Sequence, residues 1–258
     1  MGSEWGGIPE RSGNRPARRQ KIRRALLIFS FVLMPVTFAY ISCPLITEGA
    51  SQGIATGGLF VFALLFVGSL FFGRLWCGYL CPAGGLQEIY ARVNGRPVKA
   101  GWLNYLKYPI FLGIFGSIAL AVYSAGGLWV FDPFYQTGNG ISVDRSGAYT
   151  LLYAQIAFIT VFALLAGRRG FCHTFCPIAV MLILGRKIRN AVGWPALHLA
   201  AAPERCVDCG RCSETCPMSL DVRGMVREGR MEQTECILCG ECVDTCPEGV
   251  VGYAWRGK

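Results

Sequence analysis

Cys206-Val207-Asp208-Cys209-Gly210-Arg211-Cys212-Ser213-Glu214-Thr215-Cys216-Pro217 returns 30 residues later as Cys236-Ile237-Leu238-Cys239-Gly240-Glu241-Cys242-Val243-Asp244-Thr245-Cys246-Pro247. Every cysteine superimposes at that offset, as do Gly210 on Gly240 and Thr215 on Thr245. The spacing is that of paired 4Fe–4S ligation, in which the fourth Cys of each run ligates the other run's cluster. Three thiolates on a tight turn take three irons of one cubane, and the fourth Cys then reaches across to its neighbour. The expected ligand sets are Cys206, Cys209, Cys212 and Cys246 for cluster 1, and Cys236, Cys239, Cys242 and Cys216 for cluster 2. Zinc sites and disulfide frameworks are the competing readings. Zinc takes C-x₂₋₄-C pairs rather than a four-Cys run with a trailing Pro.

Working outward, the chain of 258 residues is 53% hydrophobic and only 16% charged, with a mean hydropathy of +0.40. That is too apolar for an ordinary soluble protein. Four stretches, at about 25–42, 57–76, 108–130 and 149–167, approach the roughly 20 residues that cross a bilayer. The first contains Pro35, which a membrane helix tolerates as a kink. Eight of the thirteen cysteines fall in the two C-terminal runs, which places that end of the chain in a reducing compartment.

The net charge of +9 is uneven: residues 1–202 carry 18 Lys/Arg against 6 Asp/Glu, and residues 203–258 carry 7 against 10. The bases cluster at 11–24, 74–107 and 168–189, whereas the connections 43–56 and 131–148 lean acidic. By the positive-inside rule both termini and the C-terminal domain are expected in the cytoplasm of an inner-membrane protein. The basic excess belongs at membrane edges, so no nucleic acid is expected as a partner. Arg23-Arg24 reads as ordinary cytoplasmic flank and not as a secretion signal.

A second repeat lies in the apolar part. Arg74-Leu75-Trp76-Cys77-Gly78-Tyr79-Leu80-Cys81-Pro82 and Arg169-Gly170-Phe171-Cys172-His173-Thr174-Phe175-Cys176-Pro177 superimpose at an offset of 95. Each unit is therefore two spans followed by C-x₃-C-P. Two-span units share one orientation and are related by an axis along the membrane normal. Cys77, Cys81, Cys172 and Cys176 are candidates for a site on that axis. Three roles stay open for them: an additional thiolate-bound metal, a redox dithiol beside a quinone, or packing of helix ends. Cys43 reads as structural, His198 as surface linker, and 178–189 as an interfacial helix. With only His173 and His198 available, bis-His haem in the membrane is not expected, and no Walker A or G-x-G-x-x-G supports nucleotide binding.

With its spans, paired C-x₃-C-P motifs and doubled C-terminal run, the chain resembles the NapH/MauN-type membrane polyferredoxins. The membrane modules of NosR and CcoG look similar. The resemblance implies an α-helical membrane protein with four transmembrane helices in two repeated hairpins and a small α+β two-cluster ferredoxin domain. The expected boundaries are a basic tail at 1–24, a membrane domain at 25–201 and the ferredoxin domain at 202–258. It further implies electron transfer between a redox partner protein and the quinone pool or a membrane partner, as a component of a quinol dehydrogenase. CcoG-like relatives imply an alternative, reductive maturation or metal handling through the C-x₃-C-P cysteines. Neither the flavin domain of NosR-like proteins nor the β-sandwich of CcoG-like ones is read here. The outer loops are short for docking a periplasmic reductase.

Overall fold

A computed structural model describes residues 15–98, 101–138, 140–142 and 146–256; Arg11, Lys99, Asp144 and Arg145 of the charge argument lie outside them. The first repeat opens with α1 (Arg15–Val32) and α2 (Met34–Ile41). Their axes differ by 81°. Pro35 lies in the first turn of α2, where its missing N–H is harmless, but its ring cannot continue the ladder of α1. The expected kink is thus a sharp break. Next come α3 (Cys43–Ser51), β1 (Ile54–Thr56) and α4 (Gly57–Phe72), then α5 (Leu75–Tyr79) with the first cysteine motif and α6 (Pro82–Tyr90). The second repeat comprises α7 (Lys107–Ser124), β2 (Val130–Asp132), α8 (Ser146–Ala166), α9 (Gly170–Thr174) and α10 (Pro177–Val192). Strand β1 pairs in parallel with β2, with Ile54 opposite Val130, and so ties the two repeats together.

Packing follows the repeat. Helix α6 lies on α1 of its own unit and α8 of the other, and α10 lies on α7 of its own unit and α4 of the other. This approximate two-fold arrangement brings both motif helices, α5 and α9, to the middle of the molecule. The segment 178–189, expected as an interfacial helix, is accordingly a packed one. Val180, Met181, Leu182 and Ile183 of α10 are all buried, because that helix is clamped between α4 and α7.

The four expected spans are not all full spans. Two helices are long and apolar enough on their own, Trp102–Ser124 and Gly147–Ala166, and the bent pair Arg18–Val32 with Met34–Ile41 makes a third if taken as one. The second expected span is shorter than the sequence reading. Gly73, at φ 54°, ends α4 after 16 residues. That is about 24 Å of helix, against a hydrocarbon core of about 30 Å. Outward faces expose Phe60, Leu64, Leu112, Leu120 and Leu165, an apolar belt suited to lipid and not to water.

The C-terminal unit is closed by β3 (Ala196–Ala201), antiparallel to β4 (Val251–Arg256) with Ala196 opposite Arg256. Strand β3 begins ahead of the expected boundary at 202, and His198 sits within it instead of in a linker. Between the strands lie α11 (Arg211–Glu214), α12 (Val222–Arg227) and α13 (Glu241–Thr245). Gly210 and Gly240 launch α11 and α13 at φ 76°, a left-handed conformation that favours glycine. One continuous apolar core runs from Phe62 through Cys77 and Met181 to Met218, Ile237 and Val251, so the two parts share an interior.

Candidate iron–sulfur sites

The two C-terminal runs wrap in the same way. Asp208 and Leu238, each two residues past the first Cys of its run, both take left-handed φ values of 59° and 53°. Two cavities result. Cys206, Cys209, Cys212 and Cys246 line one, with Val207, Pro247 and Val251 among their neighbours. Cys216, Cys236, Cys239 and Cys242 line the other, with Leu199, Met218 and Met231. Each cavity thus gathers three cysteines of one run and the fourth of the other. All eight are free thiols. Four soft sulfur donors around an otherwise apolar space fit an iron–sulfur cube. Burial pushes the Cys239 thiol up to about 12, so a bare thiolate there is disfavoured and a coordinated one is not.

The cavities differ in access. Cys216, Cys239 and Cys242 are buried, whereas Cys209 is exposed beside Val207. At the exposed end Asp208 binds Arg223 and Arg227. Hydrogen bonds from these two guanidiniums hold its carboxyl at about 2.

The four C-x₃-C-P cysteines also come together. Cys176 lies within electrostatic reach of Cys172, Cys81 and Cys77, and Cys81 within reach of Cys77 and Cys172. Cys77 and Cys172 are buried. The Gln87 amide, 1% exposed, donates to Cys172 Sγ at 3.2 Å and accepts from the Phe171 N–H at 3.1 Å. Arg74 and Arg169, equivalent residues of the two motif copies, are 0% and 2% exposed. Arg74 Nη1 donates to Glu235 Oε2 at 2.6 Å, and Lys107 pairs with the same carboxylate. Arg169 donates to the Cys77 carbonyl at 2.7 Å and to Glu88 Oε2 at 3.2 Å. Burial pushes the Glu88 carboxyl up, but Arg169 and Arg23 override it and hold the group below the ordinary carboxylate range.

The C-terminal unit rests directly on this centre. Gly78, inside the first C-x₃-C, abuts Ile237, which lies between Cys236 and Cys239; a Cβ on Gly78 would stand 2.5 Å from the Ile237 carbonyl oxygen. The equivalent residue of the second copy is His173, 4% exposed and pushed down to about 4 by burial, so it is neutral. Around the contact, Gln20 Nε2 donates to the Cys239 carbonyl at 3.0 Å, and Arg23 bridges Glu88 and Glu241 at 2.7 and 3.0 Å. Arg186 pairs with Glu232 at 2.6 Å. The sequence reading gives no role to Gln87, Glu88 or Glu235. Arg23, read there as ordinary cytoplasmic flank, is fully buried. For the arginines a signal did exist, their fixed place in the 95-residue repeat.

Sites of this kind define an iron–sulfur protein with an apolar, membrane-suited helical part. Comparison with known families agrees: the 4Fe-4S binding domain family matches residues 54–100 and again 149–195, at the same offset of 95, and the 4Fe-4S dicluster domain family matches 205–251. Among curated relatives, regulatory protein NosR of Pseudomonas aeruginosa is 26% identical over 64% of this chain and 23% of its own length. Protein RdxA of Cereibacter sphaeroides is 27% identical over 78% of this chain and 44% of its own. The methylamine utilization ferredoxin-type protein MauN of Methylobacillus flagellatus is 24% identical over 72% and 62%. The chain therefore spans less than half the length of NosR and RdxA. It belongs to the MauN/NapH-type polyferredoxins. No solved structure matches.

Proposed function

We propose that this protein is a membrane-bound electron carrier between a cytoplasmic redox partner and the quinone pool or a membrane partner. Its ferredoxin unit would face the cytoplasm, a reading that the Lys/Arg asymmetry supports. In this reading Cys206, Cys209, Cys212 and Cys246 hold one 4Fe–4S cluster, and Cys216, Cys236, Cys239 and Cys242 hold the other. Bound clusters supply one-electron transfer without proton chemistry.

The observation that carries the reading is the contact of Gly78 with Ile237. It sets the membrane-face cysteines against the loop between Cys236 and Cys239, while the other cavity carries the exposed Cys209. The chain's own residues therefore set a polarity: a buried end joined to the membrane part, and an exposed end for a soluble partner. Hydrogen bonds from Gln20 to the Cys239 carbonyl and from Tyr253 to the Leu238 carbonyl (2.7 Å) fix the buried loop. The Arg74–Glu235 pair pins that loop to the motif helix. Apolar walls of Leu199, Met218 and Met231 exclude water from the inner site.

The test is reduction of the purified, lipid-reconstituted protein by a short-chain quinol, followed by bleaching of iron–sulfur absorbance. Quinol-dependent bleaching is expected. Complete reduction by dithionite with none by naphtho- or benzoquinols would remove the quinone link.

A further inference from the structure

A third cavity is lined by none of the repeated cysteines. About 490 Å³ in volume, it lies between α3 and α7, against Cys43, Thr47, Glu48 and Ser51 of one helix and Ile114 and Ser117 of the other. A cavity of this size holds a small organic ring. Ile114 and Ser117 lie near the middle of Trp102–Ser124, which is long and apolar enough to cross a bilayer. Leu112 and Leu120 on either side of them are exposed, so the cavity opens beside the apolar belt. On the same helix an added Cβ at Gly113 or Gly116 would meet nothing within 4 Å, so no side chain crowds that stretch.

The polar lining is one-sided. Thr47 Oγ1 donates to the Cys43 carbonyl at 3.0 Å, Ser51 Oγ to the Glu48 carbonyl at 2.7 Å and Ser117 Oγ to the Ile114 carbonyl at 2.7 Å. Each hydroxyl proton is used within its own helix, and each oxygen keeps lone pairs for a ligand. Glu48 is the only carboxylate between Glu10 and Glu88 in the sequence, and ionised it only accepts. Among the described residues only Gln136 donates to it, at 2.8 Å to Oε1. A carboxylate beside a membrane-spanning helix is costly, and such residues mark ligand or proton paths. Against these acceptors the lining sets only the weak S–H donor of Cys43. The complement is an apolar body that brings O–H donors.

We propose that this cavity binds the ring of a quinol, with the Glu48 carboxylate and the hydroxyl oxygens of Thr47, Ser51 and Ser117 accepting from its phenolic O–H groups. This rests on the electron-transfer reading above and gives the lipid-soluble partner a site. The oxidised quinone brings only carbonyl acceptors, which would face acceptors, so the cavity selects the reduced form. A lipid ammonium also brings donors. Its charge belongs at the headgroup level, however, whereas Ile114 and Ser117 lie near mid-span.

The experiment is anaerobic equilibrium dialysis of duroquinol against the full chain in phosphatidylcholine nanodiscs, with empty nanodiscs as reference. The protein is first reduced with dithionite, so that binding is read without electron transfer. A single saturable site per chain is expected. Duroquinol dimethyl ether, which keeps the ring but has no O–H, should bind about tenfold more weakly or worse. Ser117→Phe, which fills the cavity, should weaken duroquinol about tenfold or more, and Glu48→Gln about fivefold. Iron–sulfur EPR spectra of wild-type shape establish that each variant is folded, and the ether comparison needs no variant at all. An ether that binds as tightly as the quinol would overturn the proposal, as would duroquinol binding unchanged by Ser117→Phe. Loss of duroquinol binding when phosphatidylethanolamine is added would assign the cavity to a lipid headgroup and overturn it too. So would a change in the number of associated chains with Ser117→Phe, which would assign this face to a second copy. The electron-transfer reading fails separately. Binding as expected without quinol-driven bleaching leaves the site standing and removes the quinone link. Bleaching that survives both Ser117→Phe and Glu48→Gln keeps that link and removes this site.

Discussion

Gly78 and His173 hold the same place in the two copies of the C-x₃-C motif, and they treat the ferredoxin unit in opposite ways. Gly78 lets the Ile237 carbonyl approach to a distance no side chain permits, whereas His173 fills its position with a buried imidazole. The repeat is thus symmetric in its cysteines and arginines and asymmetric where it docks. A symmetric pair of glycines would leave a void under one side of the unit, and a pair of histidines would lift the other.

Gly78→Ala is the direct check on that contact. The added methyl meets backbone, which cannot swing aside, so the unit must shift. A loss of about 1–3 kcal/mol is expected from overpacking of this kind, read as a lower unfolding temperature in detergent. Electron transfer from the membrane end should slow while dithionite still reduces both C-terminal clusters. An alanine variant with wild-type stability and transfer would mean that the contact is loose.

Glu88 gives a pH signature. Arg169 and Arg23 hold its folded pKa below the ordinary carboxylate value, so its contribution is fully present above about pH 4.3. That contribution is lost as pH falls through the lower folded value. Glu88→Gln should cost about 3 kcal/mol at neutral pH, the lower end for a broken buried pair because Arg23 keeps Glu241. The difference from wild type should shrink on acidification below pH 4, in urea titrations at fixed pH. A constant difference would place the effect in packing instead of charge.

Cys216→Ser separates crossed from uncrossed ligation. Cys216 shares its cavity with Cys236, Cys239 and Cys242 and not with the other three cysteines of its own run. The variant should therefore disturb the cluster of the second run and leave the first intact, as read by EPR. Loss of the first run's signal would refute the crossed sets.

Much of this was legible in the sequence, and the reason is covalent. Cysteine spacings are rigid local rulers, so the cavity membership and the 95-residue repeat follow from counting. Helix length was less legible. The expected span continues past Gly73 to Trp76, but a positive φ at Gly73 stops α4 early, and hydropathy does not register backbone conformation. The burial of Arg23 was not legible for a similar reason. A basic residue before an apolar run shows no partner until Glu88 and Glu241 arrive from 65 and 218 residues away. Such pairings are set by tertiary packing, and no local pattern announces them.

Orientation is the next expectation. If both termini face the cytoplasm, a phosphatase reporter fused after Lys258 should be inactive and a cytoplasmically fluorescent one active. The opposite result would invert the placement of the ferredoxin unit and move its partner to the other compartment.

The final prediction concerns additivity at the membrane-face cysteines. If Cys77 and Cys172 act in one centre, Cys77→Ser or Cys172→Ser alone should abolish transfer between the membrane end and the C-terminal clusters. The double variant should be no worse than either, because removal of any member disables a unit. If instead the thiols only pack helix ends, serine is nearly isosteric and each change should cost little. A hydroxyl that replaces a buried thiol beside Gln87 and Arg169 still finds donors, so the fold should survive both substitutions. Stopped-flow reduction by a quinol, compared with dithionite reduction of the same samples, separates the two cases. Equal, near-complete losses in the singles and the double mark a shared centre. Wild-type rates in a stable double variant would leave the two C-terminal clusters as the only carriers.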